Sequence, residues 1–92
     1  MNSYITIQHL SNSNLKSLGV FEWPIWEKQV CSFDWEYDSE EQCYFLEGKV
    51  IVHTQDGDVL ISKGDFVTFK KGLKCTWEVI EPVKKHYNFC DI

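Results

Sequence analysis

From Phe33 onward, turn signals cut the chain into short apolar and aromatic segments, none long enough for an ordinary helix. Phe33, Trp35 and Tyr37 alternate with Ser32, Asp34 and Glu36, the two-residue period of a strand with one buried face. Asp38-Ser39-Glu40 marks a turn, and Gln42–Leu46 reads as an apolar-aromatic strand covered on both faces and broken at Gly48. Lys49–Thr54 follows, with Val50 and Val52 on one face. The next segment, Gln55-Asp56-Gly57-Asp58, carries Asp-Gly, a strong hairpin signal. Strands at Val59–Ser62, Phe66–Phe69, Cys75–Ile80 and Val83–Phe89 are separated by Lys63-Gly64-Asp65, Lys70-Lys71-Gly72 and Glu81-Pro82. Nearer the N-terminal end, Tyr4–Gln8 reads as a short strand with Ile5 and Ile7 on one face. Asn14–Gly19 reads as one helical turn, capped by Asn14, packed by Leu15 and Leu18 and ended by Gly19. The pattern predicts roughly eight or nine strands and almost no helix, which points to a sandwich or barrel.

A chain of 92 residues is expected to form one domain, with an N-terminal strand and turn over about 1–20 and a barrel over about 21–90. Closing the sheet suits so short a chain, because a barrel leaves few open edges. Four Trp, four Tyr and six Phe supply much of the area available for a core. The formal net charge of −5 argues against nucleic acid or an anionic membrane as partner, since both need a basic footprint. Lys70, Lys71, Lys74, Lys84 and Lys85 read as solvated charges on loops and strand ends. No apolar run approaches the roughly 18–20 residues of a membrane span. The segment MNSYITIQHLSNSN lacks the pattern of a signal peptide, so a soluble cytoplasmic protein is expected. Cys31, Cys43, Cys75 and Cys90 show no C-x-x-C spacing and read as reduced thiols.

Two motifs carry a family resemblance. Glu41-Gln-Cys-Tyr-Phe-Leu-Glu-Gly48 resembles the end of the first cupin motif, in which a glutamate is followed by six residues and a glycine. Gly64-Asp65-Phe-Val-Thr-Phe69 with Gly72 resembles the second, and the fifteen residues between Gly48 and Gly64 match the short spacing of single-domain cupins. The stretch from Thr76 to Tyr87 resembles small cupins grouped with the (S)-ureidoglycine aminohydrolase cupin domain. The resemblance implies an all-β cupin (RmlC-like) jelly-roll barrel. In such a barrel the first motif supplies two histidines separated by one residue, the second supplies one more, and the set suits Mn, Fe, Ni or Zn.

Here the paired histidine positions fall on Trp35 and Tyr37, or on Asp34 and Glu36, and the third falls on Cys75. Only Glu41 remains. His9 and His53 lie outside both motifs and read as surface or structural residues, which leaves His86 as the histidine that could face the cavity. Strand alternation would turn Glu41, Cys43 and Phe45 inward together, and likewise Cys75, Trp77 and Val79. With Trp35 and Tyr37 this predicts an aromatic pocket holding one carboxylate and two thiols. Burial should drive that carboxylate toward hydrogen bonding or toward its neutral form. Trp23 and Trp26, flanking Pro24, read as core or dimer-interface anchors on one side of a bent strand.

Three functional readings are open at this point. The pocket (Trp35, Tyr37, Cys43, Phe45, Trp77, His86) binds a small polar molecule with no cofactor. Alternatively, Glu41 and Cys75, with Cys43 or His86, hold a divalent metal for hydrolysis or isomerisation of a small metabolite, as the ureidoglycine resemblance implies. In the third reading, the barrel is a packed core whose role lies in homodimerisation or a partner surface. Were it a metal-free enzyme, Glu41 would be the general acid or base and Cys75 a nucleophile, although no histidine is placed to activate the thiol.

Overall fold

The computed structural model describes residues 2–90. Its strands are β1 (Ile5–Gln8), β2 (Ile25–Lys28), β3 (Cys31–Glu36), β4 (Glu40–Thr54), β5 (Gly57–Ser62), β6 (Phe66–Phe69) and β7 (Lys74–Cys90). All strand pairs are antiparallel and form one sheet in the order β1-β6-β4-β7-β2, with β3 on β7 and β5 on β4. Among the described residues the strands are seven rather than eight or nine because two expected breaks are bends. Gly48 interrupts the register of β4 but lets it continue, with shifts between Phe45 and Val50. Glu81-Pro82 likewise lies inside β7.

These two bends meet. Gly48 has φ 98°, and a methyl group there would fall on the Pro82 carbonyl oxygen, with the carbonyl carbon and Val83 Cα both at 2.7 Å. Only glycine combines that backbone conformation with that closeness. Each half of the long strands then faces a different neighbour. Residues 41–44 of β4 pair with β6, and residues 49–54 pair with β5. In β7, residues 74–79 pair with β3 and residues 83–86 with β2.

The inward faces form the main core around Cys43, Phe45, Val50, Val52, Ile61, Val67, Phe69, Trp77, Val79 and Val83, all buried. Trp77 sits among rings: Phe33 at 5.9 Å, Trp26 at 5.8 Å, Phe69 at 6.0 Å and Phe45 at 6.2 Å between centroids. A second, smaller cluster of Leu15, Val20 and Phe66 is covered by Leu10, Trp23 and Tyr44.

The N-terminal helical element is α1 (Asn12–Ser17), followed by a 3₁₀ turn at Val20–Glu22. Its cap is Ser11 rather than Asn14, because Ser11 Oγ accepts from the Asn14 N–H one turn ahead. Leu15 packs as expected, whereas Leu18 is exposed, and Gly19 ends the turn in the left-handed region. Trp23 and Trp26 do not share a side. Trp23 joins the smaller cluster and Trp26 packs on the main core. Among the described residues no helix is long and apolar enough to cross a membrane.

Candidate ligand pocket

Alternation along β4 and β7 builds the site. Glu41 faces inward opposite Phe89, Cys43 opposite Tyr87 and Phe45 opposite Lys85. The inner end of a pocket of about 190 Å³ is formed by Glu41 and Lys85, both buried. Its walls are Trp26, Phe33, Trp77 and Tyr87, with Tyr37 alongside. Trp35 and Phe89, about half exposed, stand at the opening. Phe45 and Cys43 lie fully buried behind the inner end.

Lys85 is a correction to the reading of it as a solvated charge. Its neighbours in the alternating row Val83, Lys85, Tyr87 and Phe89 are apolar or aromatic, and the same register turns its side chain inward. That row was the signal in the sequence that could have found it. The Lys85 ammonium lies 3.4 Å from Glu41 Oε2 and donates to Cys43 Sγ at 3.1 Å. It also sits 4.8 Å from the Trp77 ring centre, 5.0 Å from Trp26 and 5.8 Å from Phe45. Cys43 Sγ–H in turn donates to Glu41 Oε2 at 3.4 Å, which closes a buried three-residue network.

The charges of this network follow from its geometry. Burial pushes the Cys43 thiol up, to about 12, although Lys85 pulls it down, so Cys43 is a neutral S–H at physiological pH. Burial also pulls the Lys85 ammonium down, but Cys43 and Glu41 outweigh it and hold Lys85 above its ordinary value. Glu41 is the acidic side chain that Lys85 faces, at 3.4 Å. Burial, reinforced by Cys43, Glu41 and Cys75, raises the Tyr37 hydroxyl well above its usual range. Tyr37 stacks flat on Phe69 at 4.7 Å. The Trp77 N–H influences the Tyr37 hydroxyl, but the two do not reach hydrogen-bond geometry, and that buried N–H has no partner among the described residues.

Glu41, Trp35, Tyr37 and Trp77 thus line one pocket, with Cys43 and Phe45 behind it. Cys75 and His86 are not part of it. Cys75 borders a separate open groove, points its thiol at the Trp35 carbonyl at 3.6 Å, and is pushed up to about 11 by burial and then by Asp34. A thiol raised in this way is mostly protonated at neutral pH, and the thiolate is the nucleophilic form. His86 alternates with Lys85 and Tyr87 and so faces the other side of β7. There Nδ1 meets the Trp23 carbonyl at 2.8 Å and the ring meets Phe21 edge-on. Elsewhere, His53 bridges Asp58 and Glu78, both at 2.8 Å, and the exposed His9 meets the buried Asp65 at 2.8 Å. Trp26, Phe33, Tyr87 and Phe89 are pocket residues that the sequence reading did not assign.

Glu41 is bound to an ammonium and a thiol, Cys75 lies outside the pocket, and His86 faces away. Among the described residues no three His, Cys, Asp or Glu side chains gather into a metal-binding group.

The family model of the EutQ-like cupin domain matches residues 15–87. The chain belongs to the EutQ-like cupin family. A crystal structure of a DUF861-family protein from Thermotoga maritima is 56% identical and superposes with a TM-score of 0.90, covering 94% of this cupin and 99% of that chain. The Clostridium difficile EutQ protein is 24% identical with a TM-score of 0.63, over 68% of this cupin and 50% of that chain. A DUF1255 protein of unknown function from Acidithiobacillus ferrooxidans is 16% identical with a TM-score of 0.64, over 67% of this cupin and 60% of that chain. The last two share the fold alone. No functionally curated protein matches this cupin at a significant level.

Proposed function

We propose that this cupin binds a small, partly polar molecule in its aromatic pocket without a metal. The observation that carries the reading is the buried Glu41–Lys85 pair at the inner end of a ring-lined pocket. Aromatic walls around a few convergent polar groups are the usual make-up of a small-molecule site. Lys85 supplies the positive charge beside Glu41 that a bound cation supplies in a metal cupin, so the carboxylate is satisfied by the protein itself. This disfavours the metal-dependent hydrolase alternative suggested by the likeness to ureidoglycine aminohydrolase.

The test is a titration of chelator-treated protein with single-ring aromatic compounds, followed by tryptophan fluorescence, since Trp26, Trp35 and Trp77 all line the pocket. Saturable quenching that is unchanged by EDTA and weakened by Phe33→Trp, which fills the pocket, is expected. Binding that appears only after a divalent metal is added overturns the reading.

A further inference from the structure

We infer that the pocket selects a neutral, flat-ringed ligand bearing one hydrogen-bond donor, an O–H or ring N–H directed at Glu41 Oε1. The inference rests on the ligand-binding reading above and narrows the class of ligand.

Charge gives the first argument. The pocket's one acidic side chain, Glu41, and its one basic side chain, Lys85, are paired with each other. A charged ligand would add an unbalanced charge to a site walled by rings, and burying an unpaired charge is costly. A neutral ligand adds none.

Hydrogen bonding gives the second. Both contacts to the Glu41 carboxylate converge on Oε2, from Cys43 and from Lys85. Oε1 accepts no hydrogen bond from the described residues, while the side chain borders the pocket. The Lys85 ammonium is already engaged by Glu41, Cys43 and the faces of Trp26 and Trp77. Within the Glu41–Lys85 pair the unmet atom is therefore an acceptor, whose complement is a donor on the ligand; the Trp77 N–H, also without a partner among the described residues, is closed off from solvent and out of a ligand's reach. The third argument is size. The 190 Å³ available equals the liquid volume of about six waters, room for one ring and a small substituent.

Four probes of similar size separate the possibilities: phenol, toluene, benzoate and benzylamine, titrated at pH 7 by calorimetry and tryptophan fluorescence. Phenol is expected to bind about tenfold tighter than toluene, the gain from a hydrogen bond to a charged acceptor. Benzoate and the benzylammonium ion are expected to bind more weakly than either. Glu41→Leu/Lys85→Met, an apolar replacement for the pair, should keep toluene binding and lower phenol to the toluene level. Glu41→Gln alone leaves Lys85 unbalanced and should raise benzoate above phenol. Each variant is first checked for a cooperative melt, and the two variants act independently. Equal binding of phenol and toluene overturns the inference and leaves the ligand-binding reading standing. Preference for a charged probe in the unmodified protein, or a phenol preference that survives in the double variant, also overturns it. Failure of all four probes sinks both readings together.

Discussion

The Pro82 carbonyl of β7 occupies the space that a Cβ at Gly48 of β4 would need. Both long strands bend at this crossing, and the shift in register there lets each strand serve two neighbours. Gly48→Ala therefore combines backbone strain with a clash against main chain, which cannot swing aside. We expect a loss of about 3 kcal/mol or more. Gly64→Ala is the control: its φ is 92° but nothing lies within 4 Å of the added methyl, so only strain of about 1–2 kcal/mol is expected. Urea melts of the two variants should show that order, and equal losses would remove the role given to the crossing.

The Glu41–Lys85 pair should behave as a unit. Lys85→Met alone leaves a buried carboxylate unbalanced and is expected to cost about 3–5 kcal/mol, while the paired change Glu41→Leu/Lys85→Met should cost far less. A double-mutant cycle from denaturant unfolding measures the coupling. Additive losses would mean that the two groups are separately solvated.

Stability should fall on the alkaline side. A group whose folded pKa is raised keeps its proton in the native state after the unfolded chain has lost it, so the native state is penalised as pH climbs. Cys43 at about 12 and Cys75 at about 11 act from the ordinary thiol value of 9.0 upward. Lys85, also raised, contributes stability that is complete below 10.5 and lost as pH passes through its folded value. The slope is roughly 1 kcal/mol per pH unit for each group fully in its window, less for Cys75, which borders an open groove. Chemical denaturation from pH 7 to 11 should show the decline beginning near pH 9, and Cys43→Ala should reduce it. A flat profile would contradict the assigned burial.

The same burial predicts thiol behaviour. In native protein at pH 7.5, Cys43 should resist alkylation by iodoacetamide and Cys75 should react slowly, with both becoming reactive in denaturant. Mass mapping of modified peptides reads this out. Rapid native labelling of Cys75 would revive it as a nucleophile.

His53 offers a separate pH signal. Hydrogen bonds donated to Glu78 and then to Asp58 raise its pKa above 6.5, so its contribution is present below that value and is lost as pH rises through the folded pKa. NMR titration of the ring protons should show a raised midpoint that Glu78→Gln lowers and salt weakens.

Much of the barrel was legible because short alternating segments and turn glycines are local signals. Trp77, Val79, Cys43 and Phe45 follow the inward register that alternation alone predicts. The bends at Gly48 and Pro82 were read as strand ends because a local break and a crossing of two strands leave the same residues in the sequence. Lys85 was misread because its charge suggested solvent, while the reason it can be buried lies forty-four positions away at Glu41. His86 was placed inward by chemical type, against the parity that its neighbour Tyr87 sets. Trp35 keeps the expected strand face but lies where that face meets solvent, an outcome fixed by tertiary placement.

The reach of β7 also shapes how the molecule must fold. Its residues 74–90 pair with β2, β3 and β4, and it carries Trp77, around which four other rings gather. The β4–β5 hairpin can close early over a short loop, but the remaining pairings span much of the chain and must wait for distant segments to meet. During synthesis the rings of Trp26, Phe33, Phe45 and Phe69 thus stay without their common centre until residues 74–90 leave the ribosome. The docking of β7 onto β2, β3 and β4 is thus the step that completes the main core.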